Sequence, residues 1–198
     1  NQINTNNNWI LRVDGLTKVF GTPNANSLRN TGPQAGTNIC PETDAIVACA
    51  DISFDLYPGE VLGIVGESGS GKSTIVKQLF FDIEATEGQA FLRPYHDASI
   101  NILEESNQKK RYIRNHLMGM VYQNPRDGLN FHFTSGGNIA EKLLMANLFH
   151  VGKIRKRASF LLKKTEVPVA RMDDLPAFFS GGMQQRVGLA RGLAVDPD

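Results

Sequence analysis

From Trp9 onward apolar positions alternate with polar ones as in a half-buried strand: Ile10, Leu11 and Val13, then Leu16 and Val19-Phe20. A second strand is expected over residues 46–56, ending in the turn Tyr57-Pro58-Gly59. A short apolar run at residues 61–65 predicts a third strand. It passes directly into a glycine-rich loop and a helix from Lys72, with Ile75, Val76, Leu79 and Phe80 on one face. Residues 89–92 and 118–122 read as further strands, the latter stopped by Asn124-Pro125. Residues 104–115 read as a charged helix. Helical spacing then dominates over 139–148 and 154–166, and a last helix is expected from about Gly182. The order strand, loop, helix, then helical lobe points to an α/β core carrying a helical subdomain.

The segments between are informative mainly by composition. Residues 1–8 hold five Asn and almost nothing apolar, which reads as a disordered tail. Residues 21–44 are rich in Asn, Thr, Pro and Gly and read as a long loop or insertion. The balance of 21 Lys+Arg against 20 Asp+Glu lacks the basic excess expected of a protein built to grip nucleic acid. No apolar run approaches the ~18 residues of a membrane span, and no signal-peptide pattern opens the chain, so a soluble, cytoplasmic domain is expected. Two cysteines, Cys40 and Cys49, are too few for a disulfide framework and are read as reduced structural thiols. The basic clusters at Lys109-Lys110-Arg111-Arg114 and Lys153-Arg155-Lys156-Arg157 read as solvated helix faces, with an acidic partner as the alternative.

Chemistry enters at Gly66-Glu67-Ser68-Gly69-Ser70-Gly71-Lys72-Ser73, which fits G-x-x-x-x-G-K-[ST] at every fixed position. Glycines let successive backbone N–H groups turn inward toward a polyphosphate. Lys72 brings a point charge to the β- and γ-oxygens, and the Ser73 hydroxyl can ligate Mg²⁺. The helix that follows aims its positive end at the same anion.

A second motif, Phe179-Ser180-Gly181-Gly182-Met183-Gln184-Gln185-Arg186, separates a turn-rich stretch from the last helix. It resembles the signature motif of ATP-binding-cassette (ABC) proteins, with Phe179 in place of the usual Leu and Met183 in place of the first Gln. The resemblance covers the chain from about Trp9 to its end. It implies an α/β P-loop NTPase fold of ABC type, with a mixed sheet core and a helical subdomain at about residues 125–181. Residues 9–198 would form one nucleotide-binding domain. ATP and Mg²⁺ are the implied cofactors, with nucleotide contacts from the 66–73 loop and the following Thr74. Ser180 and the Gly181 and Gly182 amides would meet the γ-phosphate held by a second ABC subunit in a head-to-tail dimer, with Met183 and Gln184 part of the same signature acting in trans. Met183 lacks the usual side-chain amide. Gln123, after the 118–122 run, would reach Mg²⁺ and the attacking water. Phe20 either stacks on adenine or packs in the core. An upstream Thr134-Ser135-Gly136-Gly137-Asn138 contains Ser-Gly-Gly without the Gln-Gln-Arg that follows the signature, and reads as the start of a helix.

Within the family, Tyr122-Gln123-Asn124-Pro125-Arg126-Asp127-Gly128-Leu129, Gly136-Gly137-Asn138-Ile139, and Val167-Pro168 with Arg171-Met172-Asp173-Asp174-Leu175-Pro176 are similar to the subunit linked to carbon–phosphorus lyase. That resemblance implies docking on a soluble lyase core complex in phosphonate breakdown. The loop form is shared with dipeptide and oligopeptide importers, so a motor docked on a membrane permease is the alternative, peripheral on the inner membrane face. The sequence ends where the family places an apolar strand with Asp-Glu, the Glu being the general base. The later switch histidine is absent as well; His96, His116, His132 and His150 all precede the signature. The chain is therefore expected to be a fragment, inactive alone, of an ATPase, or else a non-hydrolytic nucleotide-binding module.

Overall fold

The computed structural model describes residues 8–24, 26–32 and 34–195; the expected tail, but for Asn8, lies outside them. The chain divides into two compact units, one running to Lys110 and the other from Arg111.

The first unit is organised on β1 (Leu11–Phe20), β2 (Ile46–Leu56) and β3 (Glu87–Leu92). β1 is central, in the order β2-β1-β3, and both pairings are antiparallel. The register sets Leu11 opposite Leu56 and Leu92, and Val13 opposite Phe54 and Ala90. Arg12 crosses to Asp55 with two hydrogen bonds of 2.7 Å, which fasten the β1–β2 pairing and hold the Asp55 carboxyl below its ordinary range. Leu16 turns inward as an extra buried position beside the regular series Leu11, Val13, Thr17 and Val19. The cause is a bulge at Gly15, whose φ of 61° lies in the left-handed region. Its carbonyl accepts from the Thr17 hydroxyl at 3.1 Å.

The 21–44 segment is tied by its own polar groups. The side-chain amides of Asn24 and Asn30 donate to the Glu42 carboxylate at 2.6 and 3.1 Å. Cys40 is buried with Val19 and Ala45, and neither Cys40 nor Cys49 is in a disulfide. Hydrogen bonds from Thr43 and the local backbone lower the Cys40 thiol's pKa.

Two expected strands are not formed. Residues 61–65 run as irregular backbone, with Val61 94% and Val65 92% exposed. Residues 118–122 are likewise outside any ladder. An apolar run of this kind becomes a buried parallel strand only when ladders form on both sides of it. Here the ladder is β2-β1-β3, and neither run is hydrogen-bonded to the open edge of β2 or of β3.

Helix α1 (Lys72–Leu79) follows the loop as expected and buries Ile75, Gln78 and Leu79. Val76 is exposed, because at 100° per residue it lies off the Ile75–Leu79 line. Gln78 takes an inward place instead, its amide nitrogen 3.3 Å from both Cys49 Sγ and the Thr74 carbonyl.

α2 (Asn107–His116) spans the division, and the second unit continues with α3 (Pro125–Gly128), α4 (Ser135–Met145), α5 (Val151–Lys164) and α6 (Gly181–Gly192). Their shared core contains Ile139 and Leu143 of α4, Ile154, Ala158, Leu161 and Leu162 of α5, and Val187 and Ala190 of α6. Each set recurs at helical spacing, the pattern that places three stripes against one another. The Thr134–Asn138 stretch opens α4 as expected, with the Thr134 hydroxyl accepting from Gly137 N at 2.9 Å.

Asn138 is wholly buried, and its side chain spends both of its polar ends on the preceding loop. Oδ1 accepts from Asn130 N at 2.8 Å, while Nδ2 donates to the carbonyls of Asn130, Thr134 and Phe133. Asn138→Ala strands these groups where water cannot replace the amide, at about 1–3 kcal/mol for a buried group left unsatisfied. The expected result is a loss of about 2–3 kcal/mol in chemical denaturation of the second unit. A loss below about 0.5 kcal/mol, the size of an ordinary surface change, would show that the loop does not depend on this amide.

Candidate functional site

Two sites predicted from sequence fall in different units and are built differently. In the first unit, the loop from Gly66 to Ser73 is exposed along nearly its whole length. Gly66, Gly69 and Gly71 all have positive φ, at 158°, 84° and 86°. The turn is closed by Ser70 N donating to Glu67 O at 3.2 Å. Gly71 forms the cap of α1 in the left-handed conformation, with no side-chain cap and no acidic residue in the first turn. The first-turn N–H groups of a helix have no intrahelical acceptor. Without an acidic side chain to neutralise it, this helix start keeps its positive potential for an anion.

Lys72 folds back over the loop. Its Nζ donates to the carbonyl of Gly66 at 2.8 Å, to that of Glu67, and to Ser70 Oγ at 3.2 Å. The ammonium thus sits over the concave side of the turn. Ser73 is exposed beside it on the first helical turn, and Thr74 is partly exposed. Backbone donors, one ammonium and one hydroxyl are a donor set for a polyphosphate with a hard, oxygen-seeking cation such as Mg²⁺. The residues present fit ATP and Mg²⁺. Phe20, at the end of β1, is 42% exposed, with Lys18 Nζ 5.0 Å from its ring centre. Of the two readings of Phe20, full core packing is the one this exposure does not match.

In the second unit, Ser180 caps α6 by accepting from Met183 N at 3.4 Å. Gly181 and Gly182 are exposed, and a Cβ at either would meet no neighbouring heavy atom within 4 Å. The helix start is therefore open to close approach. Phe179 is buried in the helical core beneath it. Gln184 turns away from the opening, its amide nitrogen donating to the carbonyls of Pro176 and Phe179 at 3.0 and 3.1 Å. Met183 Sδ lies 4.0 Å from Arg171 Nη1. Arg171 also donates to Asp174 at 2.8 Å and to the Phe178 carbonyl at 3.3 Å, with its guanidinium 4.3 Å from the Phe179 ring centre. This clamp was not anticipated from the sequence; an Arg three before an Asp, both just upstream of the signature, is the available signal.

Gln123 is exposed, and its carbonyl accepts from Gln185 Nε2 at 3.3 Å. Within the second unit, then, the segment carrying Gln123 is tied to the helix that carries the signature. Lys142 on α4 is buried and donates to the Arg114 carbonyl at 2.6 Å. Burial, then the charges of Arg191 and Arg114, push its amine down to about 8.

Comparison with known proteins gives a consistent likeness. Residues 49–198 match the family model described as ABC transporter. The chain is 45% identical over 148 residues to the phosphonates utilization ATP-binding protein PhnK of Escherichia coli (strain K12), covering 75% of this chain and 57% of that protein. It is 38% identical over 154 residues to the oligopeptide transport ATP-binding protein OppF of Bacillus subtilis (strain 168), covering 77% of this chain and 49% of that one. The chain thus spans about half the length of the curated relatives it matches. Among solved structures, the dimeric post-hydrolysis state of the ATP-binding cassette MJ0796 bound to ADP and Pi is similar with a TM-score of 0.75. It shares 25% identity and covers 94% of this chain and 70% of that one.

Proposed function

Because the chain belongs to the ABC transporter family and has its P-loop NTPase fold, we propose that its first unit binds Mg–ATP on the loop from Gly66 to Thr74 and that the whole protein hydrolyses it. The observation that carries this reading is the Gly66–Ser73 turn, which leads into an uncapped helix start with the Lys72 ammonium folded over it. In the proposed complex the loop amides and Lys72 hold the β- and γ-phosphates, and Ser73 presents its hydroxyl to Mg²⁺. Bound there, Mg²⁺ would supply neutralisation of the charge on the phosphate oxygens during transfer of the γ-phosphoryl group to water. In this reading Phe20, half-exposed at the end of β1, stacks on the adenine base. The likeness to a dimeric cassette supports a head-to-tail pair, in which each signature helix meets the nucleotide of the other subunit.

Ser180 gives the test of that pairing. Ser180→Ala removes a hydroxyl from the exposed start of α6, far in sequence from the loop that binds the nucleotide. In the whole protein, ATP affinity of the monomer should be unchanged while ATP-driven dimerisation, read by sedimentation velocity, is strongly weakened. Undiminished dimerisation would remove Ser180 from the interface. Loss of both would implicate misfolding of α6, since a lost N-cap costs about 1 kcal/mol.

The partner we propose is the soluble carbon–phosphorus lyase core complex, with the cassette serving phosphonate breakdown. Support comes from the 45% identity to PhnK and from the segments around Gln123 and ahead of Ser180. The 38% identity to OppF favours a second reading, the motor of an oligopeptide importer. Affinity purification of the whole protein separates them: co-elution with a soluble lyase complex supports the first, and recovery only with a membrane permease supports the second.

A further inference from the structure

Charge is distributed unevenly along the chain. Residues up to Lys110 carry 8 Lys+Arg against 13 Asp+Glu, whereas residues from Arg111 carry 13 against 7. Near-neutrality overall conceals two units of opposite sign. Much of the positive excess is concentrated on α5, which has six Lys or Arg and no acidic residue in its 14 positions.

These cations fall into two groups by what they do. The arginines are engaged at home: Arg155 pairs with Asp173 through two hydrogen bonds of 3.0 Å, and Arg157 donates to the carbonyls of Leu193 and Ala194. The lysines are not. Lys153, Lys156, Lys163 and Lys164 are all exposed and make no ion pair among the described residues. On a helix their positions, with Phe160 between them, fall within one 120° sector, opposite the buried Ile154, Ala158, Leu161 and Leu162. The stripe runs about 17 Å along the axis. At its middle Phe160 is 54% exposed, with the Arg157 guanidinium 5.7 Å and Lys164 Nζ 5.9 Å from its ring centre.

We infer that the outer face of α5 is a docking surface for an anionic phospholipid bilayer, with the lysines over the headgroups and Phe160 entering the interface. The inference stands apart from the identity of the cassette's partner complex. The choice of a bilayer rests on the kind of cation left outside. A lysine ammonium is a compact, flexible point charge suited to a diffuse negative field, while guanidinium forks suit fixed carboxylates, and lysine is depleted in protein interfaces. Here the forks are used internally and the point charges face out. A protruding aromatic among them matches the make-up of a surface that lies on lipid headgroups. No helix among the described residues is long and apolar enough to cross a membrane, so the contact is one of surface attachment.

Co-sedimentation with vesicles tests this. The folded chain should pellet with vesicles of phosphatidylcholine mixed with phosphatidylglycerol, should remain in solution with phosphatidylcholine alone, and should be released by about 1 M salt, where the screening length falls to about 3 Å. Each lysine near such a surface contributes about fivefold, so the triple substitution Lys153→Glu, Lys156→Glu and Lys163→Glu should weaken partition roughly a hundredfold or more. Phe160→Ala should weaken it without changing the salt dependence, and Lys109→Glu on α2 should leave it unchanged. Far-UV circular dichroism checks that the variants remain folded. Equal binding to both vesicle types, no binding to either, or full binding by the triple variant overturns the inference. So does capture by polyglutamate without binding to the anionic vesicles, which would make the face a site for an acidic protein.

Discussion

Lys72→Ala should raise the dissociation constant for Mg–ATP about ten- to hundredfold, as measured by isothermal titration. The estimate is the roughly 1.5–3 kcal/mol carried by a hydrogen bond to a charged group. The structure shows why one side chain carries so much. The Lys72 ammonium lies over the turn, donating to Gly66 O and Ser70 Oγ. These contacts fix the charge where a phosphate tail would meet it and shape the loop at the same time. Alanine removes both effects. Lys72→Arg separates them, because it keeps the positive charge while a planar fork replaces a tetrahedral donor that fits three acceptors. An intermediate affinity is expected for it. The loss should be confined to ligands with β- and γ-phosphates, so AMP should bind the alanine variant and the parent alike. An unchanged Mg–ATP titration for Lys72→Ala would remove the loop from the nucleotide site.

How much of this could be read beforehand depended on whether a feature is decided locally. β1, β2, α1 and the three longer helices of the second unit followed from period and punctuation, because a strand's alternation and a helix's stripe are set by neighbours a few residues away. The loop was legible for the same reason: its glycines and Lys72 act through adjacent backbone. Residues 61–65 and 118–122 were not, since an apolar run becomes a strand only when a distant segment pairs with it, and composition does not record that pairing. The bulge at Gly15 added Leu16 to the inward positions without altering the apolar count. Asn138 was hidden inside a Ser-Gly-Gly sequence that drew attention as a near-signature. Its role as a buried amide shows only once Asn130 and Phe133 are seen to fold over it. At the true signature, the residue types were legible but not their directions. Gln184, expected as part of the signature acting in trans, directs its amide nitrogen back to Pro176 and Phe179.

Gly71→Ala should destabilise the first unit by about 4 kcal/mol, the sum of about 1–3 for a left-handed non-glycine residue and about 1–3 for overpacking. Gly71 sits at φ 86°, and a Cβ there would run into the carbonyl oxygen of Ala48 on β2, with the carbonyl carbon 3.0 Å away. That obstacle is backbone, so it has no side-chain rotation by which to yield. The same glycine starts α1, and displacing it moves the first-turn amides, Lys72 and Ser73 together. Stability and nucleotide binding should therefore fall in step, unlike Lys72→Ala, which should bind poorly while unfolding near the parent's denaturant midpoint. Gly69→Ala is the comparison that isolates the clash. Gly69 has nearly the same φ, 84°, yet a Cβ there would meet nothing within 4 Å. Its cost should be the backbone strain alone, about 1–3 kcal/mol. Equal losses for the two variants would mean that the contact with Ala48 relaxes freely and that the left-handed turn alone sets the demand for glycine. A much larger loss for Gly71 would mean that β2 sets how closely α1 can lie, and with it where the helix presents Lys72.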